Sequence, residues 1–143
     1  MEKLPIAKTP FERLSIDLIT SFGCTERGNK AVLVCIDQLT RYTELIPLKD
    51  KSAKECALAL FNNIFCRYTA PEMILSDNGL EFRNALLNEL CETFGVNKVY
   101  IMPYHPEGNG MVERNNRKLL DVLRHTIGQD AQWDLRLQLA SYL

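Results

Sequence analysis

Three acidic residues stand at positions that local structure does not readily explain. Asp17 interrupts an apolar run, Asp77 follows a short apolar segment, and Glu113 comes after a stretch rich in glycine and proline. Each acid alone has an ordinary structural explanation, as a hydrogen-bonded Asp in a strand or as a turn former in Asp77-Asn78-Gly79. Together, three carboxylates without basic neighbours would repel one another strongly unless a cation neutralised them.

The chemistry that such a set of acids suits is phosphoryl transfer. Carboxylate oxygens are hard ligands, and with water they favour Mg²⁺ or Mn²⁺. Two such ions roughly 3.5–4 Å apart stabilise both the attacking and the leaving oxygen of an in-line displacement at phosphorus. Asp17, in the middle of its predicted strand, is the natural candidate to bridge both ions.

The first part of the chain predicts three strands. Apolar residues alternate over residues 11–22, run continuously over 31–36 and recur over 41–48. The continuous run is typical of a central strand that is covered on both faces. Short turns between the three strands indicate an antiparallel meander.

A helix is predicted next, over residues 52–69. Ser52 with Glu55 three positions later indicates a capping box, and Pro71 ends the helix. Its apolar residues follow helical spacing and are predicted to face the core. These are Ala53, Cys56, Ala57, Leu60, Phe61, Ile64, Phe65 and Tyr68.

The elements that follow complete a mixed sheet. A short strand over residues 72–76 ends at Asp77, a second helix begins at an Asn84 cap and ends at Gly95, and a fifth strand spans 96–102. We therefore predict an α/β fold whose five-stranded mixed sheet has three antiparallel strands plus two parallel ones, flanked by helices on both faces. In this order the first and fourth strands can lie side by side, which would bring Asp17 next to Asp77.

Beyond the fifth strand, a loop over residues 103–110 is expected to lead into a helix that starts at Met111. Glu113 would then lie in the first turn of that helix, beside a loop that can move. A last helix over residues 131–143 is apolar on two sides, so we expect it to cover a neighbouring element or a second subunit.

Composition limits the possible functions. At 143 residues and a net charge of -1, the chain fits one domain, with residues 1–10 as an extended lead-in and 11–143 as the core. Any site for a polyanion must be a local patch. No apolar run approaches the roughly 20 residues that span a bilayer, and no signal peptide is seen, as expected for an intracellular protein.

The cysteines and histidines argue against two further kinds of site. The five cysteines are not spaced as CxxC, and Cys35, Cys56 and Cys91 fall on apolar faces, so we interpret these three as core residues in a reducing compartment. The two histidines are too few for a Cys/His zinc module.

Several fragments resemble a known family when they are taken in order. They are Pro10-Phe11-Glu12-Arg13 before Ile16-Asp17, Ile36-Asp37 with Thr40-Arg41-Tyr42, Pro47-Leu48, Pro71-Glu72, Ser76-Asp77-Asn78-Gly79 with Phe82, and His105-Pro106 through Asn109-Gly110-Met111-Val112-Glu113-Arg114. With 35 residues between Asp77 and Glu113, the chain resembles the D,D-35-E catalytic core of the integrases of retroviruses and gypsy-class LTR retrotransposons.

This resemblance implies an RNase H-like fold and a Mg²⁺-dependent polynucleotidyl transferase with endonuclease activity. Asp17, Asp77 and Glu113 would be the catalytic acids and would hold two Mg²⁺ or Mn²⁺ ions. Water would attack next to the 3′ end of the element DNA, and the freed 3′-OH would then attack a target strand.

The resemblance also implies partners and a place of action. Element ends and target DNA would be bound by residues around the acids, in a homodimer or a larger assembly in the nucleus or in a virus-like particle. The DNA-binding residues implied are Asn78, Tyr104, Asn109, Arg114, Arg117 and Lys118. The helices over residues 52–69 and 131–143 would form the dimer face.

Two alternatives stay open from the sequence. One is an RNase H or Holliday-junction nuclease of the same fold, although those enzymes space their acids differently. The other is a host gene derived from an integrase and retained as a DNA- or protein-binding module. A core alone is expected to lack full integration activity and to retain the reverse reaction, disintegration.

Overall fold

The structure, a computed structural model, describes residues 6–20, 23–101, 121, 131–135 and 137. Its elements are strands β1 (Arg13–Ile19), β2 (Ala31–Asp37) and β3 (Thr43–Leu48), helix α1 (Ala53–Leu60) with a π-helical continuation (Phe61–Phe65), strand β4 (Met73–Ser76), helix α2 (Ala85–Thr93) and strand β5 (Asn97–Tyr100).

These strands form one five-stranded sheet in the order β3-β2-β1-β4-β5. The pairs β1–β2 and β2–β3 are antiparallel, whereas β1–β4 and β4–β5 are parallel. The predicted mixed sheet is therefore confirmed, including the contact between the first and fourth strands.

Apolar side chains cover both faces of the sheet. On one face, residues of β1 and β4 such as Leu14 and Ile74 pack with Leu60 of α1 and Leu87 of α2. On the other face, strand residues pack against Trp133 and Leu137, both 1% exposed. The central strand β2 is buried along its whole length, as its continuous apolar run predicts.

The cysteine interpretation is confirmed for the three core positions. Cys35, Cys56 and Cys91 are buried, and the free Cys24 and Cys66 are exposed. Burial raises the pKa of the Cys35 and Cys56 thiols, the latter to about 11, so both are uncharged at neutral pH. Among the described residues, no helix is long and apolar enough to cross a membrane.

The first strand is shorter than predicted because a buried acid organises its start. Asp37 is 0% exposed and accepts hydrogen bonds from the backbone N–H of Phe11 (3.1 Å) and from the hydroxyl of Thr40 (2.6 Å). Phe11 adopts φ +60°, which is not an extended conformation, so β1 begins at Arg13 and not at Phe11. Arg41 has φ +67°, and β3 correspondingly begins later than predicted.

The first helix departs from the prediction at both ends. Ser52 caps it by accepting from the Glu55 N–H at 3.2 Å, but the N–H of Ser52 donates to Asp50 at 2.8 Å, so only half of the expected capping box forms. After Leu60 the helix widens into the π-helical segment. Tyr68 is exposed, so its assignment to the core is wrong.

The remaining boundaries agree more closely with the prediction. The Asn84 side chain accepts from the Leu87 N–H at 2.9 Å and caps α2 as expected, and Gly95 has φ +69° just past its end. Strand β5 begins one residue later than predicted and ends at Tyr100.

Hydrogen bonds join the connection between β1 and β2 to Trp133 and Asp134, which lie in the segment that covers the second face. We call these hydrogen bonds the Asp134 latch. The carboxylate of Asp134, 3% exposed, accepts from the Thr25 hydroxyl (2.9 Å), the Asn29 amide (2.8 Å) and the Arg27 guanidinium (3.3 Å). The indole N–H of Trp133 donates to the carbonyl of Gly23 at 2.7 Å. Burial raises the pKa of Asp134, but its hydrogen bonds and the charge of Arg27 outweigh burial and lower it overall.

We predict that Asp134→Asn lowers the free energy of unfolding by about 1–3 kcal/mol, because one amide hydrogen would face the donors that now bond the carboxylate. The pKa of folded Asp134 lies below that of an unfolded Asp, so its stabilisation is complete above about pH 4 and is lost as the pH falls through the folded value. Urea unfolding of both proteins across acidic pH measures this difference.

Arg27→Gln serves as the control for the latch. The Arg27 side chain is 54% exposed, so removing its charge should cost no more than about 1 kcal/mol. Equal stability of wild type and Asp134→Asn at neutral pH would contradict a stabilising latch.

Candidate active site

The register of β1 and β4 places two predicted acids side by side. Ser15 pairs with Leu75 in these parallel strands, and Asp17 and Asp77 each lie two residues further along. Side chains alternate between the faces of a sheet, so Asp17 points to the face opposite Ile16, and Asp77 follows the last residue of β4 at the same level. Neighbouring strands lie about 4.8 Å apart, so carboxylates at the same level are within reach of a common ion.

The environment of Asp17 disfavours its charge. Burial raises the pKa of this carboxyl group, the Leu18 N–H that donates to Oδ1 at 2.8 Å opposes the shift, and the nearby charge of Asp77 raises the pKa further. The structure therefore confirms that Asp17 and Asp77 are close enough to repel each other. A divalent cation would offset both the desolvation cost of the charged Asp17 and its repulsion from Asp77.

Asp77 is exposed and held in a tight turn. Its Oδ1 accepts the N–H of Gly79 at 2.9 Å, which fixes the direction of the carboxylate. A Cβ on Gly79 would lie 3.0 Å from that same oxygen and 2.5 Å from Oε2 of Glu81. Glycine at this position therefore avoids a steric clash with the carboxylate of Asp77.

The donor set suits a hard divalent ion. Carboxylate oxygens are the ligands that Mg²⁺ and Mn²⁺ prefer, and burial together with the charge of Asp77 raises the pKa of Asp17. In the part of the chain that the structure describes, no group of three or more His, Cys, Asp or Glu residues could hold a metal ion. Glu113, the third predicted ligand, lies outside the described residues.

One of the six predicted DNA-binding residues lies among the described residues, and the other five do not. Asn78 is exposed beside Asp77, and its side-chain oxygen accepts from the guanidinium of Arg83 at 3.3 Å. The other five, Tyr104, Asn109, Arg114, Arg117 and Lys118, lie outside the described residues, as do the predicted loop and helix that carry them.

Sequence reasoning missed a polar cluster on the other side of this strand end. Lys98 donates to the hydroxyl of Ser76 and lies 4.1 Å from the ring centroid of Tyr100. Burial lowers the pKa of Lys98 to about 8, against the opposing effects of Cys91 and Asp77. A lysine between Asn97 and Val99 on a short strand gives no sequence signal that its side chain contacts Ser76.

We predict that Asp17→Asn raises the free energy of unfolding of the metal-free protein by on the order of 1 kcal/mol, because the neutral amide keeps an oxygen for the Leu18 N–H and removes the repulsion from Asp77. The expected rise in Tm in EDTA is about 2–4 °C. The same substitution at Asp134 should act in the opposite direction, which makes it a matched control. A fall in Tm for Asp17→Asn would contradict the electrostatic account of this site.

Comparison with known proteins agrees with this geometry. Residues 7–106 match the family described as the integrase core domain. The chain is 32% identical over 143 residues to the retrovirus-related Pol polyprotein from transposon 412 of Drosophila melanogaster and 35% identical over 115 residues to the Gag-Pol polyprotein of walleye dermal sarcoma virus. These matches cover 97% and 80% of this chain but only 12% and 6% of the polyproteins.

Solved structures show the same fold. The catalytic core domain of BIV integrase superposes with a TM-score of 0.72 at 26% identity, over 92% of this chain and 81% of that chain. A chain of the simian T-cell lymphotropic virus intasome in complex with PP2A regulatory subunit B56 gamma superposes with a TM-score of 0.77 at 18% identity, over 98% of this chain and 50% of that chain. The chain has the RNase H-like fold and belongs to the integrase core domain family of retroviruses and retrotransposons.

Proposed function

We propose that this chain is the catalytic core of a metal-dependent DNA strand transferase, which performs 3′-end processing and strand transfer of LTR element DNA. The observation that supports it most directly is the β1–β4 register, which sets Asp17 beside Asp77 in a chain of the integrase core domain family. The third catalytic acid in this proposal is Glu113.

Each reaction is a displacement at phosphorus. In processing, the oxygen of water attacks a phosphodiester near the 3′ end of the element, and the strand leaves a free 3′-OH. In strand transfer, that 3′-OH attacks a phosphodiester of the target strand, whose own 3′ oxygen leaves. Neither step needs a covalent enzyme intermediate, so no Ser or Cys nucleophile is required.

The residues of the chain supply the cation site and its geometry. Asp17, Asp77 and Glu113 would hold two Mg²⁺ or Mn²⁺ ions, which when bound polarise the phosphate and stabilise the charge that develops on the attacking and leaving oxygens. Asp17 lies on the strand and has the fixed backbone that a bridging ligand needs. The Gly79 N–H keeps Asp77 directed while its second oxygen stays available.

The proposed partners are element ends and target DNA, and the proposed place of action is the nucleus or a virus-like particle. Asn78 beside Asp77 is positioned to contact a DNA strand over the acids, and Tyr104, Asn109, Arg114, Arg117 and Lys118 are proposed to add contacts from the segment after β5. Retention of both Asp17 and Asp77 on one face supports catalysis over a binding module without it.

We predict that Asp77→Asn lowers Mn²⁺-dependent disintegration of a branched oligonucleotide at least about a hundredfold, because a metal ligand is removed and the transition state loses several kcal/mol of stabilisation. Product formation on a sequencing gel, with circular dichroism to check the fold, measures the effect.

Asp50→Asn provides the matched control for that loss. This acid is exposed and accepts from Ser52 at the start of α1, so activity should stay within about twofold of wild type. Full activity in a folded Asp77→Asn variant would reject the proposed site.

We also propose a homodimer or larger assembly through α1 and the segment around residues 133–137. Leu58 on α1 is 45% exposed and Leu135 is 55% exposed, so both elements present an apolar side chain to solvent. Burying such side chains against a second copy would stabilise the assembly by about 25 cal/mol for each Å² removed from water.

We predict that Leu58→Glu with Leu135→Glu converts the assembly to monomer, because two charges would be buried at the contact. Light scattering at high concentration measures the mass. Ile6→Glu, at a residue 85% exposed in the lead-in, is the control and should leave the mass unchanged. A wild-type protein that is monomeric throughout would contradict this contact.

A further inference from the structure

Two cationic side chains, Arg83 and Lys98, lie near the ring of Tyr100 next to the candidate active site. The ammonium of Lys98 lies 4.1 Å from the ring centroid of Tyr100, and the guanidinium carbon of Arg83 lies 5.9 Å from it. The Tyr100 hydroxyl is 3.3 Å from both the Phe82 carbonyl oxygen and Oδ1 of Asn88, which fixes the ring. We refer to Arg83, Lys98 and Tyr100 together as the Tyr100 platform.

Both cations are bonded to the strand end that carries Asp77. Arg83 donates to the side chain of Asn78 at 3.3 Å, on one side of Asp77. Lys98 donates to the hydroxyl of Ser76 on the other side, and Ser76 in turn donates to the carbonyl of Asp77 at 2.8 Å. The platform therefore borders the catalytic acid directly.

Neither cation of the platform forms an ion pair with a described carboxylate, although the charge of Asp77 acts on Lys98 from further away. Among the described residues, no carboxylate lies within 4.0 Å of Arg83 or Lys98. Arg67 offers a comparison, because it lies 5.3 Å from the ring of Tyr68 but is also paired with Glu44 at 3.7 Å. Glu44 therefore neutralises the charge of Arg67, whereas no described carboxylate forms an ion pair with Arg83.

Such a platform is suited to an anion. Like charges near one ring repel each other, and the half-buried ammonium of Lys98 pays a desolvation cost that a bound anion would reduce. The guanidinium of Arg83 offers a planar set of donors and the ammonium of Lys98 a compact charge, and both are standard ligands for phosphate oxygens.

We propose that Arg83 and Lys98 on the Tyr100 platform bind a backbone phosphate of DNA, next to the phosphodiester that reacts at Asp17 and Asp77. This inference rests on the proposed function, because the platform contacts the residues on both sides of Asp77, where the reacting phosphodiester is proposed to lie. In this proposal, β5 and the residue just before the cap of α2 help to hold the DNA strand.

Salt dependence of DNA binding tests the platform without any chemistry. Fluorescence anisotropy of a labelled branched oligonucleotide in EDTA gives the slope of log K against log salt, and each lost phosphate contact should reduce that slope by about 0.9. Between about 50 and about 200 mM salt, the affinity of Arg83→Gln or Lys98→Gln should therefore change roughly threefold less than that of wild type.

Two further variants make the result specific. Arg83→Lys keeps the charge and should keep the wild-type slope. Arg67→Gln removes the same kind of side chain from its neutralised site and should also leave the slope unchanged. Arg83 is exposed, so Arg83→Gln remains a fair test even if Lys98→Gln is found to unfold. A wild-type slope in folded Arg83→Gln would overturn the inference.

Disintegration assays of the same proteins separate this inference from the proposed function. An active wild type with unchanged slopes in both variants would reject the platform and leave the strand transferase standing. An inactive wild type whose slope falls in both variants would reject the chemistry and support the phosphate site.

Discussion

Parallel pairing of β1 with β4 places the carboxylates of Asp17 and Asp77 side by side, and the candidate site is built on this pair. Asp17 is half-buried, and both its burial and the charge of Asp77 raise the cost of ionising it. In the proposed function, a divalent cation bound at this pair would offset that cost and stabilise the folded protein.

Apolar packing on both faces of the sheet holds β1 and β4 in place. Helices α1 and α2 cover one face, and Trp133 and Leu137 cover the other, where the Asp134 latch holds them to the β1–β2 connection. A second buried acid, Asp37, is satisfied by backbone and hydroxyl donors and so serves the fold at the start of β1. Asp37 is thus a buried carboxylate whose hydrogen bonds satisfy it within the fold.

Sequence patterns predicted the mixed sheet and the pairing of the first strand with the fourth because those signals are local or follow from chain order. The apolar run of β2, the Asn84 cap and Gly95 each act within a few residues. The start of β1 was predicted wrongly because the distant Asp37 accepts from the Phe11 N–H, where the chain leaves the extended conformation. The sequence also contains no sign of the π-helical segment after Leu60. Lys98 was missed since only the folded sheet brings its ammonium to Ser76. The roles of Glu113 and of the residues around it stay predictions.

Anomalous diffraction from crystals of the chain soaked in MnCl₂ tests the central claim most directly. We expect a manganese peak on the face of the sheet that carries Asp17 and Asp77, at about 2.1 Å from an oxygen of each carboxylate. Loss of that peak in Asp17→Asn crystals would be the expected companion result. A manganese ion that binds elsewhere, with the two carboxylates turned apart and unliganded, would contradict the account.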